Sequence, residues 1–344
     1  MAIKKSRSIN VEKLKSDLTI PPKDKRKIKK HRKEIEEILR GNDDRMIIIT
    51  GPCSAWPSEA LLEYATKLKE LEKLVKDKLK IIIRVYSQKP RTTIGWLGPI
   101  TQPDLFGKPD IEAGIRYVRE LQLKIVSMDL PVADELLFTH KMDWVGDLLS
   151  WAAIGARSSE DQEHRVFASG LDLPVGLKNP ISGDLTVGVN SVLAAQHSQV
   201  YYKDGKQVET SGNSKSHLVL RGGVNEPNYY FRHLEKVNQL VKEKEIVNPA
   251  VIVDASHDNS KYRGKKDPNR QFKVVKKVME HRYKSERLSN LIKGVALESF
   301  IKNGSQKLSD VDSQNVDRSG VSITDPCLGW NETYKLIWNI YKEI

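Results

Sequence analysis

The sequence predicts an α/β fold, a (β/α)8 TIM barrel, on three observations. Eight short apolar runs alternate with helical patterns along most of the 344 residues, and this alternation is typical of a parallel sheet. Each run leads into a polar residue, as expected where the strand ends of a barrel form one active-site face. The chain is also long enough for a barrel of about 250 residues with extensions.

The eight predicted strands are the apolar runs that recur between helical segments. They cover residues 46–49, 81–85, 124–128, 150–154, 174–177, 217–220, 250–253 and 292–297. The polar residues at or just past their ends are Cys53, Arg84, Lys89, Glu135, Arg157, Lys178, Arg221, His257 and Glu298. Because all strand ends of a barrel meet at one face, we expect these side chains to share a pocket. A doubly wound sheet is the competing architecture, and eight strands with polar ends favour the barrel.

The predicted organisation is an N-terminal arm and helix over 1–45, followed by a catalytic barrel over 46–344. Pro21 and Pro22 would break any helix at that point, so the arm before them is expected to be extended. Residues 25–40 have apolar side chains on one side and predict the N-terminal helix.

Further elements follow the same patterns. Helices are predicted at 58–75, 110–121, 141–148, 161–169, 185–195, 229–243, 268–284 and 331–343. Residues 199–210 interrupt the alternation, and their Asp204-Gly205 pair is a type I′ turn signal. This segment therefore predicts a β-hairpin inserted before the sixth barrel strand.

Composition limits the classes of function. The net charge of +12 is concentrated in residues 1–34 and 261–293, and such runs also occur in nucleic-acid-binding proteins. No nucleic-acid motif accompanies them, so we expect solvated surfaces and no nucleic-acid partner. No apolar stretch is long enough to span a membrane, and the first residues do not resemble a secretory signal. With two cysteines and no disulfide framework, a cytoplasmic location is expected.

Four residues in separate segments form a candidate metal set. They are Cys53 in GPCS, His257 in DASH, Glu298 in ALES and Asp325 in ITDP. A thiolate, an imidazole and two carboxylates suit one divalent metal ion, such as Mn2+, Fe2+, Co2+ or Zn2+. Taken singly, Cys53 is more typical of a small core residue and His257 of a hydrogen-bonded loop. Their shared position after strands favours the metal set.

A group of cations predicts a site for substrates with several negative charges. Its members are Arg84, Lys89, Arg91, Arg157, Lys178 and Arg221. Arg and Lys suit phosphate and carboxylate groups, and so many cations at one barrel mouth repel one another unless anions bind. No P-loop or dinucleotide fingerprint is present, so nucleotide phosphates are not expected. Glu135 is a candidate partner that holds these cations, with a purely structural ion pair as an equal alternative.

Seven motifs in order along the chain carry a family resemblance: GPCSAW, RVYSQKPRTTIGWLG, WAAIGARSSEDQEHRVFASGLDLPVGLKN, SGNSKSHLVLRGG, VDASHDNS, GVALES and SITDPCLGW. Together they resemble class I 3-deoxy-D-arabino-heptulosonate 7-phosphate (DAHP) synthase, in the branch that contains aromatic-amino-acid-regulated bacterial and yeast enzymes. The resemblance extends from about Ile38 to the C-terminus. It implies a (β/α)8 barrel with an N-terminal extension. It also implies condensation of phosphoenolpyruvate with erythrose 4-phosphate and water to DAHP and phosphate, the first step of the shikimate pathway.

The resemblance also implies roles for the residues that match the family motifs. Cys53, His257, Glu298 and Asp325 would hold the divalent metal ion. Arg84 and Lys178 would bind the phosphoenolpyruvate carboxylate, and Arg157, Lys178, Arg221 and the Ala156 backbone its phosphate. Arg91 and Thr92 would bind the phosphate of erythrose 4-phosphate. Lys89, between the two substrates, is the candidate proton donor.

Three alternatives remain open at this point. A related synthase that uses arabinose 5-phosphate normally has a motif near KANRSS where this chain has KPRTT. The others are a non-catalytic regulatory paralogue and, on the basic arm alone, a nucleic-acid-binding protein. The resemblance further implies a homodimer or homotetramer and an aromatic amino acid effector. Residues 199–210 and Asp172 depart from the pattern of the regulated relatives, so the identity of any effector stays open.

Overall fold

The computed structural model describes residues 4–91, 95–203 and 205–344, and its central feature is a closed barrel of parallel strands. The strands are β1 (Met46–Gly51), β2 (Leu79–Arg84), β3 (Val132–Leu136), β4 (Leu149–Ile154), β5 (Val175–Lys178), β6 (Val200–Lys203), β7 (Lys206–Glu209), β8 (Ser216–Leu220), β9 (Val251–Asp254), β10 (Lys261–Tyr262), β11 (Lys265–Lys266) and β12 (Ile292–Glu298). The barrel order is β1-β12-β9-β8-β5-β4-β3-β2, and β1 pairs with both β2 and β12 to close it. The predicted fold class is confirmed.

Helices precede, connect and follow the barrel strands, and those between strands cover the outer face of the barrel. They are α1 (Val11–Asp17), α2 (Pro22–Arg40), α3 (Ser58–Val75), α4 (Ile111–Ser127), α5 (Lys141–Val145), α6 (Gln162–Ser169), α7 (Leu185–Gln196), α8 (Phe231–Glu243), α9 (Arg270–Lys284), α10 (Glu286–Leu291) and α11 (Trp330–Glu343). The segment predicted as one helix at 141–148 is α5 followed by a 3-10 turn at Gly146–Leu148. Helices α1 and α10 were not predicted, and α1 corrects the expectation of a fully extended arm.

The predicted third strand at 124–128 is wrong. Those residues form the last turn of α4, where Ile125 and Val126 are buried on the helix side that faces the barrel. The true third strand is β3, with the sequence VADEL. β3 is not a continuous apolar run, because two of its five residues are acidic, although all five are buried. As a result Glu135 lies within the third strand rather than beyond it.

The barrel has an apolar interior that α2 closes at the N-terminal ends of the strands. Successive strand residues alternate between the interior and the helix-facing side, so Ile47 and Ile49 point inward while Met46 and Ile48 point outward. The interior cluster also contains residues of α2, namely Ile35, Ile38 and Leu39. The burial of this helix face removes apolar surface from water and leaves the opposite end of the barrel as the open face.

In the described part of the chain, two hairpins are inserted between barrel strands. The predicted hairpin before the sixth barrel strand is confirmed, with β6 and β7 antiparallel; Asp204 of its turn lies outside the described residues. The second hairpin, β10–β11, was not predicted and follows β9 at the open end of the barrel. Among the described residues, no helix is long and apolar enough to cross a membrane.

One glycine allows two loops of the open face to approach each other. Gly222 follows β8 in the left-handed region, with φ +84°. A Cβ atom there would lie 2.6 Å from the backbone nitrogen of Asn259, closer than real Cβ contacts. Only glycine suits both the dihedral angle and the contact. The residues after β8 and after β9 are therefore held side by side.

Candidate functional site

The sequence-predicted site residues converge on one cavity of about 650 Å3 at the C-terminal ends of the barrel strands. The predicted residues that line it are Cys53, Arg84, Lys89, Arg91, Glu135, Ala156, Arg157, Lys178, Arg221, His257 and Asp325. Glu298, at the end of β12, is buried and contacts Arg84 and His257. Thr92 lies outside the described residues.

Three of the four candidate metal ligands form a tight group. One ligand atom each from Cys53, Glu298 and Asp325 lies within 4.8 Å of the others. They come from the loop after β1, the end of β12 and the segment between β12 and α11. A sulfur and two carboxylate oxygens at this spacing can surround a single divalent ion.

His257 is the fourth candidate ligand and contacts the group through one ring nitrogen. Its Nε2 is 3.7 Å from Oε1 of Glu298, while its Nδ1 is 2.7 Å from Oδ2 of Asp254 at the end of β9. Metal-binding histidines usually have such a carboxylate on the second nitrogen, because it fixes the ring orientation. His257 also has a φ of +52°, a left-handed backbone conformation uncommon for residues other than glycine. The donor set therefore fits a divalent metal ion.

The charge states of the group follow from burial and from neighbouring charges. Burial and the carboxylate of Glu298 raise the pKa of the Cys53 thiol. Burial opposes ionisation of Glu298, but the nearby His257 and Arg84 outweigh it and lower the pKa of that carboxyl. Burial likewise opposes ionisation of Asp325, but Lys266 and His257 lower its pKa overall. At neutral pH the group thus holds two carboxylates and a thiol that would release its proton on binding a metal ion.

Arg84 and Lys89 line the wall beside the group. The Arg84 guanidinium donates from Nη2 to Oε1 of Glu298 at 3.0 Å, and both side chains are 1% exposed. The same guanidinium lies 4.1 Å from the ring centroid of Tyr86, which also lines the cavity. Lys89 donates to the Cys53 carbonyl at 2.6 Å and to its sulfur at 3.2 Å. Both cations are held rigidly with donors close to the metal group.

Glu135 and Lys178 form the opposite wall. Lys178 Nζ donates to Oε1 of Glu135 at 2.6 Å, and both residues are buried. Burial alone would raise the pKa of Glu135, but Lys178 and Lys89 lower it to about 2. Glu135 therefore remains ionised and holds Lys178 in place.

A second, fully buried ion pair supports this wall. Asp134 and Lys141 are 0% exposed, with Nζ and Oδ2 2.7 Å apart. Asp134 also accepts from the backbone and hydroxyl of Ser87, two residues before Lys89. Lys141 donates to the Glu135 carbonyl at 2.9 Å. Neither residue was identified from the sequence; Asp134 adjoins Glu135 in the DEL motif, but nothing marks Lys141 as its partner.

The remaining cations are distributed around the rim of the cavity. Arg221 pairs with Asp258, whose other oxygen pairs with Lys261 at the start of the β10–β11 hairpin. Arg91 donates from Nε to the Trp96 carbonyl at 2.8 Å, while Arg157 follows β4 on an exposed part of the wall. The site can therefore bind an anion at several points around the metal group.

Part of the cavity wall is apolar. A cluster of Trp56, Trp96, Leu105, Val316 and Ile323 joins the loops after β1, β2 and β12. Two of its members, Trp96 and Ile323, line the cavity. Apolar packing of the loops beside the charged groups reduces the access of water, which strengthens electrostatic interactions inside the site.

The chain is similar to known proteins over most of its length. Residues 20–337 match the DAHP synthetase I family. The Tyr-sensitive phospho-2-dehydro-3-deoxyheptonate aldolase of Escherichia coli (strain K12) is 39% identical over 340 residues, 97% of this chain and 92% of that protein. A phospho-2-dehydro-3-deoxyheptonate aldolase of Corynebacterium glutamicum is 37% identical over 92% of this chain and 86% of its own length. The Trp-sensitive enzyme of E. coli K12 is 38% identical over 89% of this chain and 86% of its own length.

A solved structure gives the same result for the fold. The phospho-2-dehydro-3-deoxyheptonate aldolase from Francisella tularensis SCHU S4 matches with a TM-score of 0.92 and 36% sequence identity. The match covers 99% of this chain and 98% of that one. The similarity therefore includes both the N-terminal region and the barrel.

Proposed function

We infer the chemistry of this site from one premise: the chain belongs to the DAHP synthetase I family. Its reaction is that of the relatives, the C–C bond-forming condensation of phosphoenolpyruvate with erythrose 4-phosphate and water to give DAHP and phosphate. This is the first step of the shikimate pathway. The observation that carries the assignment of roles is the convergence of three candidate metal ligands and a set of cations on one cavity.

Phosphoenolpyruvate is proposed to bind between the metal group and the Glu135 wall. Its carboxylate is placed against Arg84 and Lys178, both rigidly held by buried carboxylates. Its phosphate is placed against Arg157, Lys178, Arg221 and the backbone of Ala156, all on the cavity wall. Since Glu135 keeps Lys178 in place, it acts as a positioning residue for both groups.

Erythrose 4-phosphate is proposed to bind further out, with its phosphate on Arg91 and Thr92. This arrangement places its aldehyde near Lys89 and the metal group, beside C3 of phosphoenolpyruvate. Holding two anionic substrates in reactive alignment supplies a large part of the rate gain, up to about 7–11 kcal/mol in ideal cases.

A divalent metal ion, Mn2+, Fe2+, Co2+ or Zn2+, is proposed to bind to Cys53, His257, Glu298 and Asp325. When bound it would supply Lewis acidity toward the aldehyde oxygen of erythrose 4-phosphate. Asp254 would orient the imidazole of His257 through the 2.7 Å contact with Nδ1.

The chain's own groups then account for the remaining steps. C3 of phosphoenolpyruvate forms a bond with the aldehyde carbon, and the Lys89 ammonium gives a proton to the resulting alkoxide oxygen. Water adds at C2, which has given its double-bond electrons to the new C–C bond, and one proton of that water replaces the proton lost by Lys89. The C–O bond between C2 and the phosphate then breaks, the C2 hydroxyl becomes the ketone oxygen, and its proton leaves with inorganic phosphate. Arg157, Lys178 and Arg221 stabilise the charge that develops on the departing phosphate.

The reaction is tested by phosphate release from phosphoenolpyruvate, with and without erythrose 4-phosphate. Release is expected only with the sugar, with loss on chelation and recovery when a divalent metal ion is restored. Arabinose 5-phosphate serves as the comparison substrate, and faster turnover with it would contradict the assignment. A Lys89→Ala variant with near-normal turnover would remove the role given to that lysine.

We also propose a homo-oligomer, a dimer or tetramer, with an aromatic amino acid effector. Val200 and Tyr202 of the β6–β7 hairpin are exposed, and exposed apolar side chains on an inserted element favour association. The two E. coli relatives are named for sensitivity to Tyr and Trp. Light scattering that shows a monomer, or rates unchanged by Phe, Tyr and Trp, would contradict these proposals. A cytoplasmic location is proposed from the two free, buried cysteines.

A further inference from the structure

We propose that Lys266 is a built-in counter-cation of the metal group, which weakens the binding of a divalent ion there. This inference rests on the proposed function, because it takes Asp325 to be a metal ligand. It assigns a role in setting metal affinity to a residue of the β10–β11 hairpin, outside the motifs that carry the family resemblance.

Lys266 is brought to the metal group by the hairpin. Its Nζ pairs with Oδ2 of Asp325, and its side chain is 26% exposed on the cavity wall. Across the hairpin, Lys266 is paired in register with Lys261. Lys261 in turn forms an ion pair with Asp258. Both strands of the hairpin are thus anchored by ion pairs at the barrel mouth.

The three candidate ligands in the tight group each have a cation beside them. Arg84 contacts Glu298, Lys89 contacts Cys53, and Lys266 contacts Asp325. Arg84 and Lys89 also have proposed contacts with substrate, which explains why cations are needed at those two positions. Lys266 differs from these two cations because it lies on an inserted hairpin and is given no contact with substrate. Its charge is therefore expected to act on the binding of the metal ion.

The sign of the effect follows from electrostatics. A divalent ion on Asp325 would have the Lys266 ammonium as a like-charged neighbour in a partly buried site, where repulsion is only weakly screened. The same ammonium stabilises the Asp325 carboxylate when no ion is bound, so binding must replace an existing ion pair. Both effects oppose binding of the divalent ion. Removal of the charge is therefore expected to tighten metal binding by roughly tenfold or more.

The test measures Zn2+ affinity by competition with a chromophoric chelator, without either substrate. Lys266→Met keeps most of the side-chain volume and removes the charge. Lys265→Met is the matched control, because Lys265 is the adjacent lysine of the hairpin and is exposed. Lys266→Arg keeps the charge. We expect a dissociation constant about tenfold lower for Lys266→Met, with the other two variants within about twofold of the unmodified chain.

Two results would overturn the inference. A Lys266→Met variant that binds Zn2+ with unchanged affinity would show that its charge has no effect. Weaker binding would show instead that Lys266 orients Asp325 for the ion. Cys53→Ser serves to separate this inference from the proposed function. If the unmodified chain binds Zn2+ no better than Cys53→Ser, the metal site itself is wrong and the inference fails with it.

Discussion

The two ends of the barrel use the same residue types for different purposes. At the closed end, Lys80 of β2 lies between His31 and Glu34 of α2, with its Nζ 2.8 Å from Nδ1 of His31. At the open end, Lys178 is held by Glu135 at 2.6 Å on the wall of a cavity. Both lysines are buried and paired with a glutamate.

The two ion pairs differ in their surroundings. Lys80 has α2 packed over it, and the apolar residues of that helix seal the barrel interior. Lys178 faces an open cavity with five further predicted cations on its wall. A satisfied ion pair under a helix contributes to stability, whereas a paired lysine beside a cavity keeps donors available for an anion. In this fold the position along the strand separates the two roles.

The largest expected effect is loss of activity at the open end. Cys53→Ala removes the only sulfur of the proposed metal set and should lower kcat/KM by at least about 1000-fold, or about 4 kcal/mol of transition-state stabilisation. The assay is phosphate release with both substrates. Cys327→Ala, at the other buried cysteine, is the control and should stay within about tenfold of the unmodified enzyme. Similar activity of the two variants would contradict the metal set.

At the closed end, removal of a buried charge is expected to reduce stability and to leave activity almost unchanged. Lys80→Met leaves the Glu34 carboxylate without its buried partner and should reduce the free energy of unfolding by about 2–3 kcal/mol. The turnover number should change less than about twofold, since the site lies at the other end of the strand. Urea denaturation and steady-state kinetics measure the two quantities. Restoration of stability by Lys80→Met combined with Glu34→Met would support the pairing, whereas a large loss of turnover would remove the distinction between the ends.

A third prediction concerns His217, inside the barrel between the two ends. Burial lowers the pKa of His217 to about 4 from its ordinary 6.5. As the pH falls, this histidine is therefore protonated in the unfolded chain before it is protonated in the folded protein. This difference in protonation does not reduce the free energy of unfolding above pH 6.5. Between about pH 6.5 and 4 it reduces the free energy of unfolding by roughly 3 kcal/mol in total. His217→Gln retains an acceptor for Nε1 of Trp151, which donates to His217 at 3.1 Å. Its unfolding free energy should fall less steeply than that of the unmodified chain in this pH window; parallel curves would contradict the prediction.

The smallest effect is expected for an exposed ion pair. Arg7 is 63% exposed and contacts Asp110 and Glu112 at the start of α4. Such pairs are screened by water and salt, so Arg7→Ala should change the free energy of unfolding by less than about 0.5 kcal/mol. The same urea experiment on Lys80→Met provides the comparison. A larger loss in the free energy of unfolding is expected there, because the Lys80 pair is buried. Equal losses in the two variants would contradict that view.

Much of the fold was predictable because most strands are continuous apolar runs. In a parallel barrel both faces of a strand are buried, so β1 and β2 read as runs of isoleucine. β3 does not follow this rule, because Asp134 and Glu135 are buried with lysine partners from other segments. A local apolar pattern contains no information about such partners, so the pattern predicts a strand at KIVSM, where the structure has the end of α4.

The site was predictable to a similar extent and for a related reason. Residues that follow apolar strands, such as Cys53 and His257, could be placed at one face once the barrel was predicted. The substrate-binding roles of individual residues depended on the motif resemblance. Lys141 and Lys266 were not predicted, because each pairs with a carboxylate that belongs to a different element of the fold. Only the folded chain brings those charges together.

The position of a divalent ion in crystals of the protein soaked with Mn2+ would show directly whether the proposed ligands surround one ion. An anomalous difference map should show a single strong peak at the barrel mouth, contacting Sγ of Cys53, Nε2 of His257 and carboxylate oxygens of Glu298 and Asp325. A peak that lies elsewhere, or one at the mouth without contacts to Cys53 and His257, would show that these four separated residues do not form one metal centre.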